Sequence, residues 1–128
     1  MQIKVTDESA TGQILHELTL SLASERATVR DLIRERVVAE VEAFNQQGPA
    51  HFNGLIQPTD SERTLNGFKV RHKQIDPEKQ VAAALDAFLR NGYSMIVDNR
   101  QAESLDEEII LNADTTVSFI KLVPLVGG

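Results

Sequence analysis

The 128-residue sequence contains no cysteine. Disulfide bonds, thiolate metal sites and a cysteine nucleophile are therefore excluded, and the composition fits a reducing cytosol. Basic residues are also few, because 13 lysines and arginines oppose 19 acidic residues and leave a net charge of −6. A surface that binds nucleic acid usually has the opposite balance, so we expect no nucleic-acid partner.

Long hydrophobic runs are also missing. No stretch approaches the ~20 apolar residues of a membrane span, and the first residues lack the apolar run of a signal peptide. We therefore expect a cytoplasmic protein with no membrane partner. The 25% of charged and 41% of hydrophobic residues are ordinary for a globular protein, which we expect to be one domain over residues 1–128.

Motifs of common enzyme sites are absent. The sequence has no Walker-type phosphate loop, no dinucleotide-binding glycine motif and no H-E-x-x-H zinc motif. Its three histidines, His16, His51 and His72, are too scattered to predict a metal site. The adjacent acids at 106–108 are more typical of a favourable position near a helix dipole than of a catalytic pair. We therefore expect no enzymatic activity, no metal and no bound cofactor.

A hairpin and a long helix are predicted in the first 45 residues. Apolar residues alternate with polar ones in 1–7 and again in 18–22, with a turn around Gly12. A capping pattern at Thr28 and Asp31 then starts a helix. Its apolar stripe, expected to pack on the hairpin, consists of Val29, Leu32, Ile33, Val37, Val41 and Phe44. The side chains between them predict a solvated face: Arg30, Arg34, Glu35, Glu40 and Glu42.

Residues 46–92 are less regular and include a second helix. Two of the four prolines and two Asn-Gly pairs predict turns between 46 and 76. Asp76 and Pro77 are expected to open the helix, and Asn91-Gly92 to end it. Its predicted apolar stripe consists of Val81, Leu85, Phe88 and Leu89.

The last third of the sequence predicts strands. Residues 93–99 are typical of a strand, and 104–111 fit either one helical turn or a short extended segment. Residues 115–123 are β-branched and apolar enough for a central strand, which Pro124 ends because proline cannot donate to a ladder. The chain then finishes on two glycines.

This order of elements resembles the β-grasp fold of ubiquitin and its relatives. The opening MQIKV resembles the first strand of ubiquitin, SMIVDNRQ its third strand and following loop, and TTVSFIKLVPLVGG its last strand and tail. The resemblance covers residues 1–45 and 93–128, whereas 46–92 would be an insertion without a counterpart in the compact members. It implies an α+β fold in which a mixed sheet packs on a long helix.

The resemblance also implies chemistry at the C-terminus. In such proteins an E1-like activating enzyme adenylates the terminal carboxylate with ATP, and a thiol or a sulfur source then attacks the adenylate. Gly127 and Gly128 would be the site of adenylation and conjugation. Pro124, Leu125 and Val126 would be the part of the tail that the activating enzyme recognises.

The residues of the tail 123–128 suit this role physically. Glycine lacks a Cβ, so a Gly-Gly end can pass through a narrow channel and adopt torsions that other residues avoid. Proline biases the residue before it toward extended torsions, which predicts a tail that projects from the sheet. A frayed chain end is the alternative explanation.

Three functions are compatible with these features. The first is a protein modifier joined to target amines, with an E2-like conjugating enzyme and a deconjugating protease as further partners. The second is a sulfur carrier that forms a thiocarboxylate, because a proline before the Gly-Gly resembles the tails of bacterial sulfur carriers of the MoaD and ThiS type. The third is a β-grasp interaction domain without tail chemistry, since the insertion 46–92 would offer additional binding surface.

A partner-binding patch is predicted on the sheet. If Val117 and Phe119 face the helix, Ile120 and Leu122 lie on the opposite face near Ile96 of the neighbouring strand. An exposed aliphatic patch often marks a docking site, and ubiquitin-like proteins commonly bind partners there. Alternatively, the insertion covers this face and the three residues belong to the core.

Overall fold

The computed structural model describes residues 1–47, 55 and 74–121. They form an α+β fold with two helices, a mixed five-stranded sheet and a two-stranded sheet. In chain order the elements are β1 (Gln2–Ser9), β2 (Ile14–Ser21), β3 (Arg26–Thr28), α1 (Val29–Gln47), α2 (Pro77–Leu89), β4 (Tyr93–Val97), β5 (Arg100–Gln101), β6 (Glu108–Ile110) and β7 (Thr116–Lys121).

The large sheet has the strand order β2-β1-β7-β4-β5. Strand β1 pairs antiparallel with β2 and parallel with β7, and β4 pairs antiparallel with both β7 and β5. The predicted hairpin and the predicted central position of the last strand are therefore both confirmed. The parallel pair brings the first and last described strands together in the middle of the sheet.

Helix α1 begins where its capping pattern predicts. The backbone N–H of Thr28 donates to Asp31 Oδ2 at 2.9 Å, and the N–H of Asp31 donates to Thr28 Oγ1 at 3.1 Å. Each residue of the predicted apolar stripe is at most 1% exposed, so the stripe is confirmed. At about 1.5–3 kcal/mol for each fully buried aliphatic or aromatic side chain, this stripe is a large part of the core.

Helix α2 also begins as predicted. The Asp76 carboxylate accepts a hydrogen bond from the N–H of Glu78 at 3.0 Å, and Pro77 occupies the first turn, where its missing N–H costs nothing. After the helix, Asn91 adopts a positive φ of 61°, which turns the chain into β4.

The predicted stripe of α2 is partly wrong. Val81 and Phe88 are buried, but Leu89 is 65% exposed and Leu85 only half-buried, while Ala84 is fully buried. The Tyr93 hydroxyl of β4 donates to the Ala84 carbonyl at 2.8 Å, so the helix presents the line through Ala84 to the sheet. That rotation leaves Leu89 at the solvent side.

The segment 104–111 takes the extended alternative. Its strand β6 pairs with β3. The turn before β6 caps the N-terminal end of helix α1. The carbonyls of Leu105 and Glu107 accept hydrogen bonds from the N–H groups of Arg30 and Val29 at 2.9 and 3.0 Å. They satisfy donors that the first turn of a helix leaves without partners.

Within the described residues, no helix is long and apolar enough to cross a membrane.

Candidate functional site

The described part of the chain ends at Lys121, before the predicted tail 123–128. Leu122 and the tail residues Pro124, Leu125, Val126, Gly127 and Gly128 lie outside the described residues, as do both Asn-Gly pairs, 53–54 and 66–67, from which turns are predicted. The root of the tail, Lys121, is described. It is paired with Ser9 of β1 on one side and with Tyr93 of β4 on the other, so the sheet holds it from both sides.

A buried ion network lies beneath this root. Arg36 of α1 is 0% exposed and Asp7 of β1 is 1% exposed. Arg36 donates from Nη1 to Asp7 Oδ1 and from Nη2 to Asp7 Oδ2, the latter at 2.6 Å, in a bidentate pair. Its Nε donates to Glu40 Oε1, one turn further along the helix. The guanidinium therefore joins a strand and a helix through two carboxylates.

The same network reaches both the tail root and the insertion. Lys121 Nζ lies 3.8 Å from Asp7 Oδ2. At the other end, the N–H of Leu55 donates to Glu40 Oε2 at 2.7 Å. The Arg36 guanidinium also lies over the ring of Phe119, 4.5 Å from its centroid, in a cation–π contact with the last strand. One cluster thus connects the end of β7 with a residue of the insertion.

Asn45 holds a second point of the insertion, at Ile75. Its side-chain amide donates to the Ile75 carbonyl at 3.1 Å, and its side-chain oxygen accepts from the Ile75 N–H at 2.8 Å. The chain therefore leaves helix α1 and returns to its C-terminal half, where Leu55 and Ile75 are both buried.

Burial and ion pairing act against each other on the pKa values of this network. It raises the pKa of Glu40, and the charge and hydrogen bond of Arg36 oppose that rise without cancelling it. Burial would lower the pKa of Arg36, but the two carboxylates outweigh it and the pKa is raised. Two carboxylates and two cations give the network a formal charge of zero. Because the carboxylates are already paired, we interpret the network as structural rather than catalytic.

The hydroxyl of Tyr93 is not a site either. Burial raises its pKa, and the hydroxyl donates to a backbone carbonyl of α2. Its ring packs edge-on against Phe88, with centroids 6.1 Å apart, and lies 5.9 Å from the ring of Phe119. Tyr93 is thus a core residue that keeps its proton.

The sequence pattern predicts Glu40 on a solvated face, and this is wrong. Its side chain is only 11% exposed, because Arg36 and the insertion residue Leu55 enclose it. One signal was present in the sequence: Asp7 continues the alternation of Ile3 and Val5, which places a carboxylate on the buried face of β1. The partner 29 positions along the chain carried no local signal.

The opposite face of the sheet carries the described part of the predicted patch. Val117 and Phe119 face the helices, with exposures of 1% and 0%. Ile96 and Ile120 are half-buried on the other face, in neighbouring strands. Ile96 is paired with Ser118, so the two isoleucines are diagonal neighbours.

A third isoleucine extends this surface. Glu8 of β1 lies between Ile120 of β7 and Ile14 of β2, and Ile14 is 56% exposed. We call Ile14, Ile96 and Ile120 the isoleucine patch. Ile14 was not predicted, because a bulge between β1 and β2 shifts the register after Asp7 and brings it to this face.

Two hydroxyl groups and the Glu8 carboxylate lie among the residues of the isoleucine patch. Thr6 Oγ1 and Ser118 Oγ are 3.0 Å apart, and Thr6 Oγ1 also donates to Glu8 Oε2 at 3.0 Å. These polar groups therefore bind one another. An aliphatic patch of this kind is a candidate docking surface.

A cavity of about 290 Å³ lies between the end of α2 and the strands β4 and β5. Its lining includes Leu89, Ser94, Gln101 and Glu103. Within the described parts of the chain, no group of three metal-ligating side chains comes together, here or elsewhere.

Comparison of the chain with protein-family models, with curated proteins and with solved structures gives no match. Its function is therefore inferred from its own residues: the root of the tail, the tail sequence and the isoleucine patch.

Proposed function

We propose that the protein is a ubiquitin-like modifier with a β-grasp fold. Its C-terminal Gly-Gly is activated by an ATP-dependent enzyme and is then joined to amines of target proteins. The observation that carries this proposal is the position of β7, which runs through the centre of the sheet and ends at Lys121, directly before LVPLVGG.

The arrangement of elements supports the β-grasp assignment. A hairpin is followed by a long helix, and the last strand runs parallel to the first. The apolar stripe of α1 packs on one face of the resulting mixed sheet. The resemblance of the sequence to ubiquitin implies this arrangement.

The proposed reaction follows from the chemistry of a carboxylate. A carboxylate is a poor acyl donor, so its oxygen first attacks the α-phosphate of ATP and pyrophosphate leaves. A thiol of the activating enzyme then attacks the acyl carbon of the adenylate. The bond between that carbon and the AMP oxygen breaks, and AMP leaves. A lysine amine of the target then displaces the thiol, which leaves an amide bond to Gly128.

The tail fits this sequence of transfers. The acyl carbon must come within ~3–3.5 Å of each nucleophile, and side chains beside it would obstruct that approach. Gly127 and Gly128 offer none. The pairing of Lys121 on both sides gives the tail a fixed starting point on the protein.

A tryptic remnant tests conjugation directly. No lysine or arginine follows Lys121, so trypsin would leave LVPLVGG attached to the target lysine. The chain is expressed in its host with an N-terminal tag, purified under denaturing conditions and digested. We expect lysines carrying this heptapeptide, and none in cells that express a chain without Gly128. Free chain alone, with no remnant in the presence of the intact tail, would contradict conjugation.

A sulfur carrier is the second candidate, and Pro124 favours it. In this case a sulfide-level nucleophile attacks the acyl carbon of the adenylate, the bond from that carbon to the AMP oxygen breaks, and Gly128 ends as a thiocarboxylate. The intact mass of the protein purified from its host would show one oxygen replaced by sulfur, and no lysine would carry the remnant. If deletion of Gly127 and Gly128 changes neither the partners nor the phenotype, the protein is an interaction domain without tail chemistry.

A further inference from the structure

The two edges of the large sheet are protected to different degrees. Strand β5 has two residues, and its Arg100 is bound to Glu107 at 2.5 Å. Strand β2 has eight residues, with neither proline nor lysine. Its carboxylate, Glu17, is neutralised by Lys4 of the neighbouring strand at 3.4 Å. Natural proteins usually shorten, charge or cover such an edge, because it can pair with another strand.

The hydrogen bonds of the hairpin identify the open backbone groups of β2. Met1 and Leu22 exchange two hydrogen bonds, from the Leu22 N–H at 2.7 Å and from the Met1 ammonium at 3.0 Å. Bonded and non-bonded pairs alternate in an antiparallel ladder, so Leu20 and Leu18 also point their backbone groups at β1. The N–H and C=O groups of Glu17 and Thr19 then point outward. No strand of the described chain pairs with them.

We propose that β2 pairs antiparallel with β2 of a second copy, centred on Leu18. In this register Glu17 lies opposite Thr19 of the second copy, and no like charges lie directly opposite each other. A register centred on Glu17 would place two carboxylates opposite each other, which is unfavourable. The half-buried Leu18 would gain an apolar neighbour on the helix side of the sheet.

This register has a consequence for the isoleucine patch. Because Leu18 of one copy pairs with Leu18 of the other, the two-fold axis is perpendicular to the sheet. Both isoleucine patches then lie on one face of a ten-stranded sheet. Five strand spacings separate the two β7 strands, which is about 24 Å. A partner with two binding segments could occupy both patches and gain effective concentration. The proposal does not depend on chemistry at the tail.

Cysteine cross-linking tests the register. The protein has no cysteine of its own, so a single introduced thiol is unambiguous. Leu18 and its mate would form a non-hydrogen-bonded pair with Cα atoms about 4.5 Å apart, a distance that a disulfide spans. With oxidised glutathione as oxidant, Leu18→Cys should form a covalent dimer. Ser21→Cys is the control, because the two copies of this residue would be about 20 Å apart. Equal or absent cross-linking of the two variants would overturn the proposal.

Proline substitution tests the hydrogen bonds. Thr19→Pro removes an N–H that points away from β1, so the hairpin can keep its own ladder. Thr19→Val keeps the N–H and is the matched control. Light scattering across a concentration series should show a dimer for the wild type and for Thr19→Val. The dimer of Thr19→Pro should be about tenfold weaker or more, as the loss of about 1.4 kcal/mol from two hydrogen bonds implies.

Circular dichroism shows whether Thr19→Pro is folded. If it is not, the cross-linking of Leu18→Cys and Ser21→Cys decides whether the dimer forms.

Each copy carries a net charge of −6, so added salt should strengthen the dimer by screening this repulsion. A wild type that remains monomeric at every concentration and salt level would contradict the proposal.

Discussion

The helix-covered face of the large sheet includes Asp7 and Lys121 among its apolar residues, whereas the open face includes Ile96 and Ile120 among hydroxyl groups. On the covered face, the Asp7 carboxylate is held because Arg36 pairs with it where both side chains are at most 1% exposed, and Lys121 lies 3.8 Å from the same carboxylate. On the open face, the isoleucines are only half-buried and contribute less to folding. The difference indicates that the covered face determines stability and that the open face is available for binding.

Removal of Arg36 should produce the largest effect on stability. Arg36→Met leaves Asp7 and Glu40 buried without the guanidinium that pairs with both, and breaking a buried ion pair in this way costs about 3–5 kcal/mol. Urea denaturation of the two proteins measures the difference. A loss below about 1 kcal/mol in the free energy of unfolding would show that the two buried carboxylates do not need Arg36 for stability.

Substitution of the isoleucine patch should separate binding from folding. Ile120→Ser removes a half-buried side chain, so we expect a loss of about 1 kcal/mol or less in the free energy of unfolding. If the patch docks an enzyme of the conjugation pathway, the yield of lysines carrying LVPLVGG should fall several-fold. Thr116→Ser, on the same strand and face but exposed, is the control. Unchanged conjugate yield in Ile120→Ser and Ile96→Ser would remove the patch from the proposed function.

The raised pKa of Glu40 predicts a particular pH dependence. In the folded state this carboxyl binds a proton at a pH where the unfolded chain, with a glutamate pKa near 4.3, has already lost it. Its contribution to stability therefore falls as the pH rises from about 4.3 to the folded pKa, and it is constant on either side.

Glu40→Gln isolates this contribution. The free energy of unfolding of the wild type minus that of Glu40→Gln should increase when the pH is lowered through this window. Urea denaturation at a series of pH values measures it. A difference that decreases on acidification would mean that the attraction of Arg36 outweighs burial.

Arg34 provides the smallest expected effect and the matched control for Arg36. It lies two residues away on the same helix and pairs with Glu78, but both side chains are exposed, at 45% and 67%. Arg34→Met should leave the urea midpoint unchanged within error, since exposed ion pairs are weak and screened by salt. A loss of stability as large as that of Arg36→Met would show that burial is not the reason for the importance of Arg36.

Local signals predicted most of the fold from the sequence. The alternation in the hairpin, the capping pair Thr28 and Asp31 and the spacing of the α1 stripe each depend on residues within a few positions of one another. The contacts that were not predicted join distant segments. Arg36 of α1 meets Asp7 of β1 between the helix and the sheet, and Ala84 rather than Leu89 faces the core because α2 packs on α1 and β4 together.

The sequence predicted some residues of the candidate site and missed others. The inward position of Phe119 follows from the alternation of the last strand, and the structure places Ile96 and Ile120 together on the other face. Ile14 depends on a bulge that no local pattern reveals. The chemistry of Gly127 and Gly128 remains a prediction from the sequence, because these residues lie outside the described part of the chain.

Trapping of an activated carboxylate tests the central claim most directly. The tagged protein is incubated in host lysate with ATP and hydroxylamine, whose nitrogen attacks an acyl-adenylate or thioester and displaces AMP or the thiol. Mass spectrometry of the last tryptic peptide, residues 122–128, should show a hydroxamate at Gly128 that requires ATP. A carboxylate that remains unmodified with ATP present, in lysate where added ATP is consumed normally, would contradict the account.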